Sequence, residues 1–220
     1  MQIHTIVSMP FAENTSLLWH NGRPEAVVVD PGMEPDAILE FLSERQLKVV
    51  AILNTHGHAD HIAGNEAMKE AFPDAPLVIG VGDRAMLTNP ILNLSRSYGF
   101  DIISPDADQT VAGGDRLSFA GIDFEVLDIP GHSPGHVVFV IRNSPIVVIG
   151  GDVLFRGSIG RTDFPGGSFE QLAAGIRRNL YPLPDDTVIY PGHGPVTQVG
   201  YEKRNNAFVP SEPLPNGCGS

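Results

Sequence analysis

The hexapeptide His56-Gly57-His58-Ala59-Asp60-His61 places four metal-ligand side chains within six residues. Imidazole and carboxylate are borderline-to-hard donors that suit zinc, iron or manganese. In an extended chain successive side chains alternate faces, so His56 and His58 can point the same way. The turn that follows swings Asp60 and His61 toward a second ion beside the first. Four such donors packed into a core need a reason, because buried polar groups are costly. A solvated surface cluster is the plain alternative. The run Val49-Val50-Ala51-Ile52-Leu53 weighs against it, since it reads as a buried strand delivering the motif to its end.

Three more donors follow apolar runs. Asp123–Ile129 leads into Pro130-Gly131-His132, Ile146–Ile149 into Gly150-Gly151-Asp152, and Thr187–Tyr190 into Pro191-Gly192-His193. The repeated grammar is β-branched strand, glycine, ligand. Glycine lets the backbone turn sharply and come close to a bound ion. A lone Gly-His after a strand is more often an ordinary turn; three such endings together with the hexapeptide are hard to assign to chance.

This constellation resembles the metallo-β-lactamase superfamily, through most of the chain, and specifically its short bacterial glyoxalase II-like (hydroxyacylglutathione hydrolase-like) members. Carried over motif by motif, the resemblance implies that His56, His58 and His132 hold a first metal. Asp60, His61 and His193 would hold a second, with Asp152 bridging the two. The implied cofactors are two divalent ions, zinc first, with iron or manganese as alternatives. His136, four residues after His132, is read as a neighbour of the ligands, because the family takes the first histidine of that pair. His4 and His20 lie outside every motif and read as surface or packing residues.

Two adjacent cations lower the pKa of a bridging water and stabilise the oxyanion formed when that hydroxide attacks a carbonyl. On this reading the nucleophile is not a side chain, and Asp60 orients the hydroxide while ligating the second metal. No nucleophile-elbow pattern surrounds any serine, Ser133 included.

The family does not fix the substrate. Asp152 stands where glyoxalase II-like members carry the bridging aspartate, whereas true β-lactamases generally place a cysteine at the second metal. The segments Gly151–Gly167 and Gly192–Thr197, with Glu202-Lys203 and Asn205–Phe208, look like the same short subgroup. The expected reaction is therefore hydrolysis of a small thioester, S-lactoylglutathione or a related hydroxyacylglutathione. Arg161 falls where longer glyoxalase II enzymes contact the glutathione moiety; a salt bridge to Asp163 is an equally weighted reading of that residue. Departures from the longer enzymes are Asp163 and Pro195 in place of two tyrosines, and only 27 residues (194–220) after His193, too few for their helical carboxyl-terminal domain. The rival reading is a persulfide dioxygenase of the same fold, sharing Gly160–Phe164, with one iron on His56, His132 and Asp152. A metal-stabilised binding module without turnover is the third.

The elements that must position these residues form two halves. The first has strands at Ile3–Val7, Ser16–Trp19, Ala26–Val29, 49–53 and Pro76–Ile79, with helices at Pro35–Gln46 and Ala63–Phe72. The second has strands near 115–119, 122–129, 136–142, 146–150 and 187–190 and a helix at Phe169–Leu180. Met86–Pro105 shows no period and is suited to a lid or insertion over the site. The resemblance implies an α/β fold, the four-layer αββα sandwich, over residues 1–209, with a Pro/Gly-rich tail at 210–220.

Composition agrees. Hydrophobic residues at 42% and charged ones at 18% describe a globular chain. A net charge of −12 disfavours nucleic acid, whose phosphates demand a basic face. No apolar stretch approaches the ~20 residues of a membrane helix. The start Met1-Gln2-Ile3-His4 shows no secretory pattern, and the single cysteine, Cys218 in the tail, excludes internal disulfides, so a cytoplasmic location is expected.

Overall fold

A computed structural model describes residues 1–211. Strands β1 (Gln2–Ser8), β2 (Glu13–Trp19), β3 (Glu25–Val29), β4 (Lys48–Asn54), β5 (Leu77–Gly80) and β6 (Gln109–Val111) form one sheet in that spatial order, antiparallel up to β3 and parallel from β3 to β6. The second sheet is built from β7 (Arg116–Phe119), β8 (Ile122–Asp128), β9 (Val137–Ile141), β10 (Val147–Gly151), β13 (Val188–Pro191) and β14 (Thr197–Gln198). Its order is β14-β13-β10-β9-β8-β7, with β10 and β13 parallel. A small hairpin, β11 (Leu154–Phe155) with β12 (Ser158–Ile159), stands apart from both.

The side-chain period of two explains the layers. In β3, Val27 and Val29 face inward with Leu53 and Val78, meeting Phe124, Val126, Phe139 and Ile149 of the second sheet. Ala26 and Val28 face outward, where Ile38, Phe41 and Leu42 of α1 (Pro35–Glu44) and Met68 of α3 (Asn65–Ala71) cover them. On the far side Val138, Val140 and Val148 pack under Leu172 of α5 (Phe169–Gly175) and Ile176 and Leu180 of the π-helical turn that continues it. The central strands of both sheets are thus buried on both faces, and β3, β5, β9 and β10 read as near-continuous apolar runs. The order helix, sheet, sheet, helix is the expected αββα sandwich.

The packed chain reaches at least residue 209, since Val209 is buried and its carbonyl accepts a hydrogen bond from Tyr181 Oη. The expectations for Cys218 and for the tail past residue 211 lie outside the described residues.

The expected strands and helices are present with ends shifted by a few residues. Helix α1 stops at Glu44, because Gln46 already has φ of +55°. The expected helix at Ala63–Phe72 is α3, Asn65–Ala71, and a separate unexpected helical turn, α2 (Ala59–Ile62), precedes it. Other short elements that went unforeseen include β6, the hairpin β11–β12, β14 and α6 (Val199–Asn205). Strands of two or three residues carry too few positions for a period to register. In the aperiodic segment Met86–Pro105, a last turn of α4 (Arg84–Leu87) and a 3₁₀ turn at Ser95–Tyr98 replace longer elements. Among the described residues no helix is long and apolar enough to cross a membrane.

Candidate metal centre

All seven expected ligands converge where strands end. His56, His58, Asp60 and His61 follow β4, the last two on α2; His132 follows β8, Asp152 follows β10, and His193 follows β13. The ligand atoms of His56, His58 and His132 lie within 4.8 Å of one another, and so do those of Asp60, His61 and His193. His58 Nδ1 and His132 Nε2 approach to 2.9 Å. Asp152 sits between the sets: Oδ1 is 3.4 Å from His61 Nε2, and Oδ2 is 3.4 Å from His132 Nε2 and 3.5 Å from His193 Nε2. Asp60 Oδ2 is 3.3 Å from His193 Nε2.

These donors fit a divalent metal. His56 Nε2, His61 Nε2 and Asp152 Oδ1 are buried without a hydrogen-bond partner in the protein, a costly state that a cation among them would relieve. Burial, and next the His132 imidazole, push the His58 pKa down to about 3, so its lone pair is free. Burial also pulls His61 down, but Asp60 and Asp152 beside it outweigh that and hold it well above the ordinary imidazole value. Two carboxylates there demand positive charge; an entering cation would take over from that proton.

A second layer fixes the rings. His132 Nδ1 faces the Arg161 carbonyl at 2.8 Å, and His193 Nδ1 faces the Phe11 and Ala12 carbonyls at 3.1 and 3.2 Å. Carbonyls only accept, so both rings carry their hydrogen on Nδ1 and turn the Nε2 lone pair inward. Asp30, just past β3, accepts from the Thr55 amide (2.7 Å) and hydroxyl (2.6 Å) and lies 3.1 Å from His61 Nδ1. His136 accepts the Asp152 N–H through Nε2 at 3.0 Å and stacks on His56, centroids 4.8 Å apart, as befits the neighbour it was read to be. At Gly192 a Cβ would stand 2.2 Å from Asp152 Oδ1 and 2.7 Å from His61 Cε1, so only glycine fits the strand ending there.

The sequence profile of the metallo-β-lactamase superfamily matches residues 9–193. The chain belongs to the metallo-β-lactamase superfamily. Within it, the chain is 37% identical over 216 residues to hydroxyacylglutathione hydrolase GloC of Haemophilus influenzae, covering 96% of this chain and 100% of the relative. Among solved structures it resembles the BLEG-1 B3 metallo-β-lactamase, at TM-score 0.90 and 37% identity over 94% of this chain and 99% of that one. It also resembles TTHA1623 in a di-iron-bound form, at TM-score 0.82 and 37% identity over 93% and 99%. Equal identity to a relative named for glutathione thioesters and to one named for β-lactams leaves the choice of substrate to the site itself.

In this superfamily member a cavity of about 350 Å³ opens over the expected metal ligands. Phe11, Leu94, Tyr98, Phe155, Ile159 and Phe164 give it apolar and aromatic walls. Leu94 and Tyr98 come from the aperiodic segment, which therefore does border the site. Arg161 reaches the rim. Its Nε and Nη2 donate to the two Asp163 carboxylate oxygens, each at 2.7 Å, and its guanidinium carbon lies 3.9 Å from the Phe164 ring centre.

Three supporting residues were absent from the sequence reading. Asp30 ends Val27-Val28-Val29 and obeys the same strand-then-ligand grammar, so that rule could have found it. Asp83 accepts from the Gly57 amide (3.1 Å), the Ser133 hydroxyl (2.5 Å) and the Gly135 amide (2.6 Å), tying the hexapeptide loop to the His132 loop. Glu13 is fully buried 3.9 Å from His61 Nδ1, where burial pushes its carboxyl well up. No spacing signal marks either of these two. His4 stacks on Phe41 at 4.2 Å, away from the site.

Proposed function

We propose that this chain is a metal-dependent hydrolase cleaving a thioester, S-lactoylglutathione or a related hydroxyacylglutathione. On this reading His56, His58 and His132 hold one divalent ion, Asp60, His61 and His193 hold another, and Asp152 is shared. The observation that carries it is the position of Asp152, whose two oxygens face donors of both sets at 3.4 to 3.5 Å. When bound, the two ions supply Lewis acidity and a water of lowered pKa. Zinc is the leading choice of metal, and the di-iron form of a relative supports the count of two and keeps iron in view.

The side chains account for the remaining work. Asp60 is the most exposed carboxylate of the centre, at 19% of its side chain, and it lines the cavity. There it accepts a hydrogen bond from the attacking water and aims it at the substrate carbonyl. The aromatic walls exclude bulk water and seat the acyl and thiol-side methylenes. Arg161 offers the free part of its guanidinium to a substrate carboxylate. The name of the 37% identical relative supports a hydroxyacylglutathione as the substrate.

The test is elemental analysis of protein purified without chelator, paired with hydrolysis of S-lactoylglutathione and of a cephalosporin. Two metals per chain and faster thioester cleavage are expected. One iron per chain with oxygen consumption on a persulfide would replace this reading with the dioxygenase, and preferential β-lactam cleavage would replace the substrate.

A further inference from the structure

Among the described residues, Arg161 is the one Lys or Arg side chain lining the cavity. It does not stand free. Asp163 occupies its Nε–Nη2 edge with two hydrogen bonds of 2.7 Å. Phe164 covers one face at 3.9 Å. A guanidinium has five N–H donors, so three remain, and a ligand carboxylate is left with the Nη1–Nη2 edge. That carboxylate would meet a cation already neutralised by its neighbour.

We infer that Asp163 is a specificity-determining residue, a built-in carboxylate that lowers the affinity of Arg161 for anionic ligands. The inference rests on the thioester reading of the cavity and adds a preference to it. The site favours thioesters whose binding comes from apolar contact with Phe11, Tyr98 and Phe164, and it discriminates weakly in favour of those with a free carboxylate.

The sign of the effect follows from exposure. Arg161 and Asp163 side chains are 55% and 67% exposed. An ion pair in water holds its partners in place only weakly, so Asp163 contributes little to orienting Arg161. Arg161 also packs on Phe164, and its carbonyl lies 2.8 Å from His132 Nδ1, so contacts other than Asp163 place the residue. What Asp163 does contribute is like-charge repulsion toward any carboxylate at the same guanidinium.

The test uses metal-loaded full-length protein and two thioethers that cannot be hydrolysed, S-methylglutathione and its dimethyl ester, titrated by calorimetry. Asp163→Ala should tighten S-methylglutathione about two- to fivefold, the size expected for one exposed charge. It should leave the ester within about twofold. Adding Arg161→Ala to the same chain should abolish the gain. Weaker binding in Asp163→Ala would show that Asp163 orients the arginine and would overturn the inference, as would equal shifts for both ligands or no binding of S-methylglutathione to either protein. Turnover separates this from the broader reading. If the variant tightens as stated yet the wild type cleaves no thioester, the hydrolase proposal fails and the role of Asp163 stands. If thioesters are cleaved but the affinities do not move, the reverse holds.

Discussion

The floor and the rim of the cavity are built by different rules. On the floor, His56, His61, His132 and His136 are buried, and most of these rings have a defined partner for the nitrogen that faces away from the centre. Their positions are set by strands buried on both faces and by a second layer of Asp30, Thr55 and Asp83. At the rim, Arg161 and Asp163 are more than half exposed and Tyr98 is 49% exposed. Rim residues hang from a two-strand hairpin, a 3₁₀ turn and loops. Tight support fixes the chemistry, and loose support leaves the substrate side adjustable. That division is what lets one fold serve relatives named for different substrates.

The sharpest way to break the comparison is at the floor. Asp60→Ala removes a second-set donor and the proposed orienting carboxylate, while His56, His58 and His132 stay in place. Turnover should fall on the order of a hundredfold or more, as for other groups acting on the transition state. Circular dichroism and the melting temperature should stay close to wild type. Full thioesterase activity in a metal-replete variant would remove Asp60 from the mechanism.

A smaller loss is expected one layer back. Asp83→Ala strands the Gly57 and Gly135 amides and the Ser133 hydroxyl in a mostly buried place. Leaving such donors unmade costs roughly 1–3 kcal/mol each where water cannot reach them, so a loss of about 2–4 kcal/mol in total is expected after relaxation. Because it joins the loops carrying His58 and His132, metal occupancy should fall together with stability. Asp83→Asn keeps one acceptor and should recover part of both. A variant that melts early but keeps full metal content would show that Asp83 holds the fold and not the ligands.

The same contrast explains what the sequence made legible. The floor could be read because its rule is local: an apolar run, a glycine, then a ligand, repeated after β8, β10 and β13. Each copy needs only a few residues to be recognised. The individual strands and helices were legible from Val/Ile/Leu runs and helical stripes, as in Val49–Leu53 and Ile38–Leu42, while their stacking into four layers was what the family resemblance implied. Asp83 was not legible, because its three partners lie 26 to 52 residues away and no periodicity links them. The hairpin at Leu154–Ile159 was hidden for a different reason. Its strands are two residues each, and it is held by Glu202 of α6, which accepts from Gly157 N, and by Asn206 just past that helix, which donates to Ser158 O. At the rim, the sequence offered Arg161 two readings of equal weight, substrate contact or ion pair with Asp163. The ion pair is present, and the guanidinium also borders the cavity, so the two readings are not exclusive.

The smallest predicted effect therefore sits at Arg161 itself. Nearly half of its charge-bearing edge is engaged by Asp163, so truncation removes a contact already weakened by competition. Arg161→Ala should raise KM for S-lactoylglutathione roughly three- to tenfold with kcat little changed, the pattern for binding lost equally from ground and transition states. A neutral thioester with no carboxylate should show almost no change. Arg161→Lys should resemble alanine more than arginine, since an ammonium cannot present a planar two-point fork. The variant also releases Asp163, whose carboxyl the arginine now holds down to about 2; that group stays ionised at neutral pH and adds a repulsion to anionic substrates. Arg161→Ala should for that reason weaken S-lactoylglutathione more than the double variant with Asp163→Ala does. Equal KM values in the single and double variants would mean that Asp163 is too far from the bound carboxylate to matter, and the rim would then be tuned by its aromatic walls alone.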